Sequence, residues 1–289
     1  MISFFSQLFS EAGFWQARRF SGRLFQRILA LVMAVGLTLG LAVPPALADG
    51  VTQEQLDTIT AQWEGSLHAL NDVNCASCHQ DSETKSFVAV PNQESCRTCH
   101  EQSVDTFLLG KHGIRTLEGE SALTPALARL PMHEAAFEKS MSCNTCHDVH
   151  TVNTLQASTD SCMTCHNDTH TNNYFNSKHA ELFEADRDLP RPSNASVSCA
   201  TCHLPRHTIE IGGNEVVKVN HNNTYNLKPR DRMVADVCMN CHGVEYSYNS
   251  IFDDELVTAN FDKPPHLELE TFDLIRALEK RRSDNGDGE

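Results

Sequence analysis

All twelve cysteines and six of the fifteen histidines of this 289-residue chain fall into six copies of one pattern, Cys-x-x-Cys-His. The copies are Cys75-Cys78-His79, Cys96-Cys99-His100, Cys143-Cys146-His147, Cys162-Cys165-His166, Cys199-Cys202-His203 and Cys238-Cys241-His242. A pair of thiols with an imidazole beside the second is the covalent attachment set of a c-type haem. The thiols form thioethers to the vinyl groups, and the His ligates the iron from the proximal side. Structural zinc also uses Cys-x-x-Cys pairs, but it does not require His at the next position every time. With His at 15 of 289 positions, six chance placements have a probability of roughly 10⁻⁸. A disulfide scaffold is excluded by the absence of any cysteine outside the motifs, since pairs so close in sequence staple nothing. The spacing therefore predicts six covalently bound haems c.

Each iron has a second axial position. Nine histidines lie outside the motifs: His68, His112, His133, His150, His170, His179, His207, His221 and His266. Imidazole is a good iron ligand, so nine candidates suffice for bis-His ligation of six irons, which predicts low-spin haems of low potential. Local context ranks the candidates. His68, His112 and His179 stand in similar patterns around the motifs (Ser66-Leu67-His68, Lys111-His112, Ser177-Lys178-His179). His150, three residues after His147, reaches a neighbouring iron. His133, ten residues before Cys143, and His221, before Asn222-Asn223, complete a preferred six. His170 is the seventh candidate, and His207 and His266 rank last. The seven methionines are not needed, because Met ligation raises the potential.

The elements that must hold these groups are short. The first cysteines of successive motifs are 21, 47, 19, 37 and 39 residues apart, so motifs one and two form a pair, as do three and four. Val73-Asn74-Cys75 resembles Met141-Ser142-Cys143, and Glu94-Ser95-Cys96 resembles Asp160-Ser161-Cys162, which reads as a doubled unit used twice. The predicted layout is a hexahaem domain over residues 49–266, with doubled units at 68–112 and 133–179 and two further haem segments in 180–266. With about 40 residues per haem, the haem faces rather than an aliphatic core must organise the chain. The expected fold class is mainly α with extensive loops and a haem-stacked core, with little or no sheet. Helices are expected over residues 53–62, as one or two turns over 131–139, and continuing after most motifs. Residues 187–197 read as a loop. Gly212-Gly213 between β-branched residues suggests a small hairpin over 209–219. Residues 268–282 read as an amphipathic helix ending in Lys280, Arg281 and Arg282, where the helix dipole favours cations. A disordered tail follows.

Residues 1–48 read as an export signal. Arg18, Arg19, Arg23 and Arg27 precede a 16-residue apolar run and the small-residue site Ala46-Leu47-Ala48. The run is short for a membrane span. The expected location is the periplasm, or alternatively outside the cell or at the membrane through an uncleaved signal. The net charge of −15 makes nucleic acid an unsuitable partner. It suits a redox protein with a basic docking patch. A membrane quinol dehydrogenase as donor and association into an oligomer are the further partners expected.

Residues 131–261 resemble the hydroxylamine oxidoreductase-related multihaem cytochromes. The resemblance is carried by Cys143-Asn-Thr-Cys-His147-Asp-Val-His150, Cys162-Met-Thr-Cys-His166 with His170 and Ser177-Lys178-His179, Cys199-Ala-Thr-Cys-His203-Leu-Pro-Arg206, His221-Asn222 and Cys238-Met-Asn-Cys-His242. The family's enzymes carry eight haems, one with an open iron. This chain has six motifs, no Cys-x-x-Cys-Lys, and four tyrosines, of which Tyr246 and Tyr248 follow the last motif too closely to match the family's cross-linking tyrosine. The resemblance therefore implies the fold and the haems rather than the catalysis.

The reading that follows is an exported multihaem c-type cytochrome carrying electrons between redox partners, with no catalytic residue. Two alternatives stay open. One is a nitrogen- or sulfur-compound oxidoreductase with one open-coordinate haem, where Arg206 is the side chain placed to assist. The other is a subunit of a cytochrome filament or electron-transfer complex. A pyridine haemochrome assay on the purified protein is expected to give six haems per chain, and its intact mass should exceed the polypeptide by the same six groups. Zinc in place of haem would overturn the motif reading.

Overall fold

A helix of one turn is unstable alone in water, so the motif helices need capping groups close at hand. The computed structural model describes residues 51–187, 189 and 195–285. The expected signal segment, most of the 187–197 loop and the last four residues lie outside the described residues. Three motifs form short helices, Cys75–His79, Cys143–Cys146 and Cys199–His203. The residue before each motif and the second residue between its cysteines cap the turn together. Asn74 Oδ1 accepts from the Ser77 N–H at 3.1 Å, and Ser77 Oγ accepts from the Asn74 N–H at 3.2 Å. Ser198 and Thr201 form the same reciprocal pair at 3.2 and 3.0 Å. The Ser142 N–H donates to Thr145 Oγ1 at 3.0 Å.

The helices were expected to run on past the motif His, but most stop there. After His79 the chain is extended at Gln80 and bridges to Phe87. His147 is itself extended. Pro205 follows Leu204 and disfavours a helical residue before it. Gly243 follows His242 in an extended conformation. Only the second motif lies in a longer helix, Gln93–Leu109, and that helix kinks at His100 (φ −117°, ψ 37°). Residues 131–139 contain one short turn, Glu134–Ala136. The first helix, Gln53–Glu64, extends two residues beyond its expected end.

The described residues are mainly helical, and their one sheet is a two-stranded antiparallel hairpin. Strand β1 is Arg206–Ile211 and strand β2 is Asn214–Val219, paired from Arg206↔Val219 to Ile211↔Asn214. Gly212 and Gly213 have φ of +60° and +82°, the left-handed values that a tight two-residue hairpin turn requires. The hairpin carries the chain away from the fifth motif and returns it to His221. At its base the Asn220 N–H donates to the Pro205 carbonyl at 3.0 Å. The buried Asn226 amide donates to both the His203 and Asn220 carbonyls, at 3.1 and 2.9 Å.

Polypeptide alone supplies a small apolar core. Met233, Val234 and Ile251 are buried together, with Cys202, Leu227, Tyr248, Val257 and Phe261 packed around them. Leu256, 1% exposed, sits in the short helix Asp254–Thr258, which Asp253 caps by accepting from the Leu256 N–H at 3.0 Å. The C-terminal helix runs Glu270–Asn285, three residues past its expected end. Among the described residues no helix is long and apolar enough to cross a membrane. Truncating Leu256 to Ala should cost about 2–5 kcal/mol, read as a lower denaturant midpoint. Ser198→Ala should cost about 1 kcal/mol through the lost cap.

Candidate functional site

Each motif histidine faces one histidine from outside the motifs. Ring centroids are 6.2 Å apart for His68–His100, 6.3 Å for His79–His150 and 6.2 Å for His112–His166. They are 6.3 Å apart for His147–His221, 6.0 Å for His170–His203 and 6.2 Å for His179–His242. No ring serves twice. Van der Waals stacking would bring two rings closer, and unrelated surface residues would not repeat one distance six times. A metal–imidazole bond of about 2.0–2.1 Å, plus about 1.15 Å from nitrogen to ring centre, puts two imidazoles on opposite sides of one metal about 6.3 Å apart. With a Cys-x-x-Cys pair next to every motif His, the donor set fits a haem c held by two thioethers and two imidazoles. The planes of His79 and His150 are nearly parallel, at 8°, whereas the other five pairs are turned by 50–65°.

Long-range contacts place the non-motif rings. The end of the Gln93–Leu109 helix and the loop after it lie against residues 220–223. The His221 N–H donates to Thr106 Oγ1 at 3.2 Å and the Lys111 N–H to Asn223 Oδ1 at 2.9 Å. A Cβ on Gly110 would come within 2.8 Å of the His221 carbonyl, so only glycine permits this approach. One junction thus positions both His112 and His221. Residues 257–260 do the same for His170. Its Nδ1 is 2.5 Å from the Val257 carbonyl. Asn260 Nδ2 donates to the His170 carbonyl at 2.8 Å and lies 3.4 Å from Nε2. His79 Nδ1 is bonded to the Val88 carbonyl at 2.8 Å. An Nδ1–H committed to a carbonyl fixes the tautomer and turns Nε2 outward as the ligand atom.

At several of these imidazoles partial burial favours the neutral form, the form a metal ligand needs. His112, His203 and His221 are each held down to about 4, first by burial and then by the facing ring, His166, His170 and His147 respectively. Burial also lowers His147, His166 and His179.

The motifs adjoin one another in chain order. Cys78 lies within electrostatic reach of Cys96, and Cys96 lies beside Cys143. Cys146 adjoins Cys165, Cys162 adjoins Cys199, and Cys202 adjoins Cys238. His112 and His166 line a cleft together with Leu123, Pro125, Met132, Met141, Cys162 and Cys165. Its lining combines both thiols of the fourth motif, the two facing imidazoles and an apolar wall.

Of the seven candidates for the second axial position, His68, His112, His150, His170, His179 and His221 stand opposite motif histidines. His133, placed among the preferred six on proximity alone, does not. It is exposed at the start of the Glu134–Ala136 turn, and its own N–H donates to the Cys165 carbonyl at 2.9 Å. His170, ranked seventh, takes the place opposite His203. His207 lies in β1 and His266 is exposed. Arg206 is an exposed residue opening β1. Tyr246 stacks on His242 at 4.9 Å. The sequence analysis did not single out the positioning residues Thr106, Gly110, Asn226 and Asn260, which work across gaps that no local pattern marks.

Replacing His170 with Ala should convert one low-spin haem to high-spin in the EPR spectrum of the oxidised protein, while His133→Ala leaves all six low-spin. The opposite result would restore His133 as the ligand.

No protein-family model matches the chain, and no curated protein matches it. Among solved structures it is similar to a chain of the reducing HAO-like protein complex of Kuenenia stuttgartiensis, with 19% identity and a TM-score of 0.47. The alignment covers 82% of this chain and 59% of that one, so the present chain spans well under two thirds of the length of the structure it matches.

Proposed function

We propose that this chain is an exported, periplasmic six-haem cytochrome c that carries electrons between redox proteins and performs no bond chemistry on a substrate. Six covalent haems, when bound, supply one-electron redox chemistry. The cysteines of each motif would anchor the porphyrin, and the paired histidines would close both faces of the iron. The observation that carries this reading is the one-to-one pairing: every motif His has its own facing imidazole, so the donor set leaves no iron with a free coordination site. The neutral form favoured at His112, His203 and His221 suits axial ligation, and the Nδ1 hydrogen bonds of His79 and His170 raise ligand basicity and so favour low potentials.

The adjoining motifs support transfer along the chain from the first motif to the sixth. The net charge of −15 favours a partner with a basic docking surface, whose encounter rate would fall as ionic strength rises. A membrane quinol dehydrogenase is the donor class this reading accommodates. EPR of the oxidised holoprotein should show only low-spin signals, unchanged by nitrite, hydroxylamine or cyanide. A high-spin signal that shifts with any of the three would establish an open iron and favour the oxidoreductase reading instead.

A further inference from the structure

The Glu270–Asn285 helix touches the body on one side. The Phe272 ring lies 6.1 Å from Tyr248, and Arg276 bonds Glu245. Just ahead of the helix, the Leu269 N–H donates to Asn249 Oδ1 at 3.0 Å. At about 100° per residue, Phe272 and Arg276 share one face, while Leu274, Ile275 and Leu278 fall on another centred about 130° away. Those three are 61%, 42% and 48% exposed. A helix of this length is marginal by itself, and a second apolar stripe turned away from the body calls for a cover.

The charges on the helix identify the cover. Glu270, Asp273, Glu279 and Asp284 balance Arg276, Lys280, Arg281 and Arg282, so the helix is neutral. An anionic membrane surface calls for a basic polar face, and a chain of net charge −15 would be repelled from it. The charges are segregated along the helix, with Glu268, Glu270 and Asp273 at the start and Lys280, Arg281 and Arg282 towards the end. We propose that this helix pairs antiparallel with the same helix of a second copy of the chain. That direction sets the acidic start of each helix against the basic end of the other, with Leu274, Ile275 and Leu278 meeting between them. The parallel direction would set like charges together. Three apolar side chains per copy make a small interface, so the dimer forms at high concentration and is weakened by salt.

Glu245 and Tyr248, where the helix is attached, lie three and six residues past His242. The pairing therefore brings the sixth motifs of two copies to a common junction and leaves the two first motifs as outer ends. This consequence, a joined run of twelve haems, rests on the function proposed above, whereas the pairing itself does not.

Sedimentation equilibrium of the full-length holoprotein should give a monomer–dimer equilibrium that shifts to monomer in high salt. An all-acidic variant, Lys280→Glu with Arg281→Glu and Arg282→Glu, should be monomeric. So should a variant with a basic start, Glu268→Lys with Glu270→Lys. An equimolar mixture of the two should recover a species of twice the monomer mass. A wild-type protein that stays monomeric when concentrated, or variants that do not associate when mixed, would overturn the pairing, as would flotation of the wild type with anionic vesicles in place of self-association. Haem content and EPR are read on the same samples. Dimers formed by a chain lacking six low-spin haems would keep the pairing and remove the electron-carrier reading.

Discussion

The pairing of histidines across long stretches of chain is the constraint on which the rest of the structure depends. The shortest pair, His68 with His100, closes 32 residues, and the longest, His147 with His221, closes 74. The spans overlap, so every position from 68 to 242 is bracketed by at least one pair. Loop-closure entropy rises by only about 0.6 kcal/mol for each doubling of length. Distant pairings are therefore scarcely harder to close than near ones, and the axial ligation proposed above would dictate topology where local propensity is weak. The chain needs few long helices for the same reason. Its one-turn motif helices have only to orient two thiols and an imidazole, and a reciprocal Ser, Thr or Asn pair at the N-terminal turn suffices for that.

The pairings follow a rule that skips motifs. His112 follows the second motif and faces the fourth, and His179 follows the fourth and faces the sixth. In the other direction, His150 follows the third motif and faces the first, and His221 follows the fifth and faces the third. His68 fits the forward series, lying ahead of the first motif and facing the second. The fifth motif departs from the rule, because within this sequence no later motif supplies its partner. It takes His170, held by Val257 and Asn260.

This explains what could be read from the sequence and what could not. Cys-x-x-Cys-His is a local motif whose chemistry follows from adjacency, so the anchoring residues are visible at once. Gly212-Gly213 is equally local, and the hairpin forms where its turn chemistry places it, with β1 starting three residues earlier than expected. Mainly helical character follows from the small amount of protein per motif. The choice between His133 and His170 is different in kind. Distance along the chain favoured His133, whereas the ring facing His203 is His170, held by Val257 and Asn260 about 90 residues beyond it. The expected continuation of the helices beyond their motif histidines failed for a physical reason too, since Pro205, Gly243 and the Gln80–Phe87 bridge each favour extended backbone at that point.

The hairpin leaves and rejoins the body between two residues already tied together, with the Asn220 N–H on the Pro205 carbonyl and Asn226 spanning His203 and Asn220. Its base is thus closed independently of its tip. Strand length and turn composition between residues 206 and 219 can drift without moving the imidazoles of His203 or His221. Exposed hairpin tips of this kind tolerate insertion, which makes Gly212-Gly213 the natural place to graft an affinity tag or a surface anchor while the paired imidazoles stay in register.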